Sequence, residues 1–196
     1  MLLLLWMPGL HIKLIRRRSN KMPNVVIVAL PTEDDYVNKI SSEKVPHMTI
    51  LFLGDLLNVK NLGKIISFTQ HASDQMLLRF GMDVDKRGVL GPDKADVLFF
   101  KKSQWSGFDS VNSFRSSLLQ EPNIRTAYDL VPDQFSEWIP HLTLGYPTSP
   151  AKPDNRDYPG IYYVSFDRIA VWFAEFEGIE FPLKSYDDMM IQSAIK

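Results

Sequence analysis

Apolar residues along this chain recur with two periods, and the switches between them outline a succession of elements. Residues 25–30 form an unbroken apolar run between Pro23 and Pro31, the pattern of a buried strand. Thr32 followed by Asp35 predicts an N-cap and a short helix ending near Ser41. Residues 48–53 are rich in strand formers and stop at Gly54-Asp55, which predicts a second strand. Val59, Leu62, Ile65, Ile66 and Thr69 share one helical face, so 59–71 reads as an amphipathic helix. A strand over 76–84, a loop over 87–93 with its glycines and proline, and a strand over 95–101 follow. Phe108, Val111, Phe114 and Leu118 mark a second amphipathic helix. Residues 121–140 read as irregular, 141–146 as a strand and the proline-rich 147–159 as a loop. Residues 161–173 and 179–183 supply closing strands. Strands and helices mix without strict alternation, which predicts an α+β fold rather than a doubly wound parallel sheet.

The two ends of the chain stand apart from this pattern. Residues 1–10 are almost wholly apolar, yet a bilayer span needs about 20 such residues. Arg16-Arg17-Arg18 follows the apolar run, whereas a secretory signal carries its positive charge ahead of it. The expectation is a disordered extension over 1–21, with a weak membrane-surface anchor as the other reading. A single domain over 22–186 and a tail over 187–196 complete the division, and Met22 resembles a second start.

Composition narrows the chemistry. The chain has 196 residues, enough for one domain or two small lobes. It contains no cysteine, which excludes disulfides, thiolate chemistry and Cys-based zinc sites and fits a reducing, cytoplasmic setting. The net charge is −1, whereas a protein gripping long nucleic acid carries a clear basic excess. A nucleotide partner is therefore expected to be small or short. No glycine-rich phosphate loop or dinucleotide fingerprint is present, and no cofactor is expected.

One internal repeat carries the chemical signal. Pro46-His47-Met48-Thr49-Ile50 is echoed 94 residues later by Pro140-His141-Leu142-Thr143-Leu144. Side chains at i and i+2 of a strand share a face. Each copy therefore offers an imidazole and a hydroxyl side by side, with the apolar residue between them turned into the core. A lone His-x-Thr means little, since most such histidines are satisfied core residues. Here two of only four histidines share one five-residue pattern. In-line cleavage of a phosphodiester needs a base on the attacking oxygen and an acid on the leaving oxygen. Histidine serves either role near neutral pH. Threonine hydroxyls can donate to the non-bridging oxygens, where negative charge accumulates. No metal is required, and neither copy carries a zinc-ligand pattern.

Paired His-x-Thr motifs on strands about half a chain apart resemble the 2H phosphoesterase superfamily. Trp138-Ile139-Pro140-His141-Leu142-Thr143-Leu144-Gly145-Tyr146 is similar to the second-motif block of its LigT-like branch, the RNA 2′,3′-cyclic phosphodiesterases also called 2′-5′ RNA ligase-like proteins. Arg87-Gly88-Val89-Leu90-Gly91 with Ala95-Asp96-Val97-Leu98 resembles the central segment of that branch. The resemblance implies two pseudo-twofold-related lobes, with antiparallel sheets lining a central cleft and helices outside. It implies that His47, Thr49, His141 and Thr143 face one another across the cleft. Implied activities are cleavage of 2′,3′-cyclic phosphates, 2′-5′ linkages or cyclic-nucleotide signals, and some viral members remove immune second messengers. Classic RNA-processing members often carry arginines near the second motif, where this chain has Tyr146-Pro147.

Lys101, Trp105 and Tyr146 are candidate substrate-binding residues: the first for a phosphate, the aromatic pair for stacking on a base. Trp138 flanks the second motif and is a further stacking candidate, whereas Trp172 and Phe173 read as core. His71 reads as a helix-end residue favouring the dipole. A monomer is the expected state. The rival from another class is a nucleotide-binding or structural module that keeps the fold without turnover, against which two intact His-Thr pairs argue.

Overall fold

A computed structural model describes residues 23–132, 137–152, 162–174 and 177–188. The expected extension over 1–21 and nearly all of the expected tail over 187–196 lie outside these residues. Among the described residues, seven strands run β1 Asn24–Pro31, β2 Met48–Asp55, β3 Phe80–Leu90, β4 Ala95–Lys101, β5 His141–Gly145, β6 Tyr163–Ala174 and β7 Glu177–Pro182. The helices are α1 Val37–Ile40, α2 Leu62–Met76, α3 Phe108–Leu118 and α4 Pro122–Asp129. All strand pairings are antiparallel. The α+β expectation therefore holds.

The sheet has the order β1-β2-β5-β4-β3-β6-β7, and β1 also pairs with β6. Six strands thus close into a ring, and β7 is added beside β6. Two separate lobes were expected; the hydrogen bonding instead joins the strands into one continuous sheet. The ring still has two alike halves, β6-β1-β2 and β3-β4-β5. They are stitched at one seam by Phe80–Asp83 against Tyr163–Phe166 and at the other by Met48 against Leu142.

The two faces of the sheet differ because alternation sends neighbouring residues to opposite sides. Val25, Ile27 and Ala29 of β1 join Met48, Ile50, Leu142, Leu144, Ile169 and Val171 in the main core, with Ile65 of α2, Phe114 and Leu118 of α3 and Ile124 of α4. Val28, Leu30, Ala170 and Trp172 form a second, smaller cluster on the other face, with Val26 and Val45 against it. Among the described residues, no helix residue belongs to that cluster. A bulge in β2, where Val28 pairs with Thr49 and Ile27 with Leu51, leaves Ile50 without a partner on β1.

Several boundaries differ from the sequence reading. Residues 87–90 continue β3, with Gly88 opposite Val97, where a loop was expected. A Cβ on Gly88 would meet the Phe99 ring at 3.2 Å, so the glycine answers close packing rather than a turn. The turn falls at Gly91, which has φ +70°. Residues 76–79 are not strand, because α2 runs to Met76 and starts three residues later than expected. Residues 121–140 are not wholly irregular: Glu121 caps α4 by accepting from Ile124 N, and Pro122 occupies its first turn.

Leu142 is fully buried at the seam between the two halves of the ring. Leu142→Ala should cost roughly 2–5 kcal/mol, the range for a leucine deleted from a packed core. Urea denaturation measures it, and a loss below 1 kcal/mol would mean the seam repacks freely.

Candidate active site

The repeated pentapeptide is a repeat of structure as well as of sequence. Pro46, Met48 and Ile50 are buried while His47 and Thr49 are half-buried; Pro140, Leu142 and Leu144 are buried while His141 and Thr143 are half-buried. In the first copy, His47 Nδ1 lies 2.9 Å from the carbonyl of Val45. In the second, His141 Nδ1 lies 2.8 Å from the carbonyl of Ile139. A carbonyl only accepts, so in each ring Nδ1–H donates, and Nε2 of the neutral ring is left with its lone pair. The accepting carbonyl precedes a proline in both copies, and the fixed φ of Pro46 and Pro140 helps set its direction toward the ring.

Register brings the copies together. Met48 pairs with Leu142 in antiparallel sense, so His47 and Thr143 lie toward one side of this pair, and Thr49 and His141 toward the other. Met48 and Leu142 both point into the main core. By alternation the four polar side chains therefore turn away from the main core. Val28 and Val97 flank Thr49 and Thr143 there, and Phe99 flanks His141. The Lys86 ammonium lies 5.5 Å from the Phe99 ring centroid.

The two imidazoles have different surroundings. Trp172 meets His47 edge-on, with ring centroids 4.7 Å apart. Burial holds the His47 imidazole below its ordinary value of 6.5; the hydrogen bond to Val45 opposes this, and the positive charge of His141 adds to it. His141 instead lines an apolar pocket of about 380 Å³, together with Thr49, Phe52, Leu90, Arg115, Tyr128 and Trp138 among others. The pocket lies where β2 and β5 part beyond their single pair. Side chains take two β2 carbonyls there: Trp138 Nε1 donates to Thr49 O at 3.2 Å, and Arg115 Nε to Ile50 O at 3.3 Å.

The other candidates are spread more widely. Lys101 ends β4, exposed, opposite Asp83 in the ladder. Trp105 is 79% exposed in the turn before α3. Tyr146 is 37% exposed beyond Thr143, and its hydroxyl is pushed above its ordinary value by burial and by the charges of Glu43 and Asp93. None of these three lines the pocket. His71 is exposed within α2 rather than at its end. Sequence reasoning missed Phe52, Leu90, Arg115 and Tyr128; the one available signal was the Glu121-Pro122 helix start, which would have placed Tyr128 on α4. Among the described residues, no group of three or more His, Cys, Asp or Glu side chains is placed to hold a metal, and no helix is long and apolar enough to cross a membrane.

No family model and no curated protein matches the chain. Solved structures do resemble it. A phosphoesterase covers 83% of this chain and 96% of its own at 15% identity, with a TM-score of 0.48. Escherichia coli LigT complexed with 3′-AMP covers 84% of this chain and 97% of its own at 16% identity, TM-score 0.47. A protein of Thermus thermophilus covers 83% and 99% at 16% identity, TM-score 0.46. Likeness at these identities and scores assigns no chemistry, which has to come from this chain's own residues.

A histidine that binds protons less readily when folded makes stability fall as pH drops. The unfolding free energy should therefore decline from about the unfolded value of 6.5 down to the depressed value of His47, then level off for this group. His47→Gln should remove that part of the slope. Urea melts across the pH range measure it, and equal slopes in the two proteins would show that His47 titrates normally.

Proposed function

We propose that this chain is a metal-independent phosphodiesterase that cleaves a small nucleotide by two-histidine general acid–base catalysis. The observation that carries the reading is the matched anchoring of His47 and His141. Each Nδ1 is held by the carbonyl two residues upstream, on strands whose one registered pair, Met48 with Leu142, turns the histidines and threonines of both copies away from the main core.

In the proposed reaction a phosphodiester lies between the two rings. His47 Nε2 takes the proton from the attacking oxygen, either a water or a neighbouring ribose hydroxyl, as the new O–P bond forms. The opposite P–O bond breaks, and His141 Nε2–H gives its proton to the departing oxygen. The next turnover needs His47 to release its proton and His141 to regain one. Thr49 and Thr143 hydroxyls donate to the non-bridging oxygens as charge builds there. His47 suits the base because burial disfavours its cation. The substrates in view are 2′,3′-cyclic, 2′-5′-linked or cyclic oligonucleotide phosphodiesters, a viral enzyme destroying a defence signal being one such case.

His47→Ala or His141→Ala should each lower turnover by about a hundredfold or more, the usual scale for an acid or base. A double mutant as active as the natural chain sinks the proposal. Activity should survive EDTA; abolition by chelator and rescue by zinc or manganese would reassign the roles.

The pH profile of a single cleavage step should be a bell whose limbs belong to the coupled pair. Its acid limb should lie below the ordinary imidazole value, because the base must be neutral and burial lowers its affinity for a proton. Thr49→Ala or Thr143→Ala should lower the plateau by roughly 2–4 kcal/mol of transition-state energy and leave the limbs in place. A rate that climbs steadily to high pH would point to hydroxide attack instead.

A further inference from the structure

The pocket beside the two motifs is asymmetric with respect to them. Thr49 and His141 line it; His47 and Thr143 do not. It therefore lies on the side of the phosphate served by His141. Its volume of about 380 Å³ falls at the small end of ligand pockets and suits one nucleoside rather than two.

The lining matches a flat, partly polar ring. Phe52, Leu90, Tyr128 and Trp138 give apolar and aromatic surface. Arg115 supplies the polar element: its guanidinium lies 5.7 Å from the Tyr128 ring centroid and 5.8 Å from that of Trp138, and Nη2 donates to Tyr128 Oη at 3.1 Å. With Nε held by Ile50 O, two of its five N–H donors are used. Half-buried Arg115 pairs with no carboxylate among the described residues; Glu137, which also lines the pocket, is exposed and does not reach it. The spare N–H donors are matched by the carbonyl and ring-nitrogen acceptors on a base edge.

Resting on the phosphodiesterase reading, we propose that this pocket receives the nucleobase on the leaving side of the scissile phosphate. The preferred substrate then carries a nucleoside on both sides of the diester. A mononucleotide 2′,3′-cyclic phosphate has no second base, because both its ester oxygens belong to one ribose.

The test compares diadenylate, 2′-5′- and 3′-5′-linked, with adenosine 2′,3′-cyclic phosphate on the full chain. The natural protein should favour a diadenylate in kcat/KM. Arg115→Gln, and independently Phe52→Ala at its more exposed position, should lower the ratio of diadenylate to cyclic phosphate by about tenfold, chiefly through KM, the scale of one lost base contact. A ratio unchanged in both variants overturns the proposal, as does a natural preference for the cyclic phosphate. Calorimetric binding of diadenylate to the His141→Ala protein separates this pocket from the catalytic reading. Binding weakened by Arg115→Gln and Phe52→Ala in that background supports the pocket even where the natural chain cleaves nothing. Binding indifferent to both overturns it even where cleavage is fast.

Discussion

The proposed chemistry of this molecule hangs on one antiparallel pair, Met48 opposite Leu142. Both side chains are fully buried, and strand alternation then obliges the residues on either side of each to emerge on the other face. Antiparallel direction does the rest, setting each histidine on the same side of the pair as the threonine of the other copy. A slip of one residue in this register would send His47 and Thr49 into the main core and Met48 out of it. The cost of burying an imidazole and a hydroxyl without partners guards against that slip. Because the pairing is no longer than this, β2 and β5 are free to part beyond it. The space that opens becomes the pocket rather than more sheet.

How much of this was legible follows from which interactions are local. β1, β2, β4, β5 and α3 were read to within a residue or two, because each carries an apolar pattern long enough to reveal its period. The errors lie where tertiary contact overrides composition. Gly88 reads as a turn residue but sits in β3, kept small by the Phe99 ring lying across it. The short α4 buries little beyond Ile124 and Ala127, too few positions to show a period, although its cap was in plain view.

The same division runs through the site. The four motif residues were visible because a repeat is a property of the sequence. The pocket was not, because Phe52, Arg115, Tyr128 and Trp138 come from four segments that meet only through the splay of two strands. Trp172 lies between the cases. It reads as core and is 6% exposed, yet the core it joins is the small helix-free cluster, where its edge meets His47. Hydrophobicity reported its burial but not which face it served.

A repeated motif poses a difficulty for acid–base chemistry, since two like imidazoles in like settings would bind protons alike. Backbone symmetry is close here: both rings are held by a carbonyl two residues upstream, beside a buried proline. The surroundings break it. Trp172 and the apolar cluster withdraw His47 from water and disfavour its cation, and a charge on His141 disfavours it further. His141 opens instead onto the pocket where β2 and β5 separate. In the proposed reaction the ring that is costly to charge waits neutral as the base. The ring beside the open pocket meets the departing group, so the features that tell the two copies apart also give the cleavage its direction.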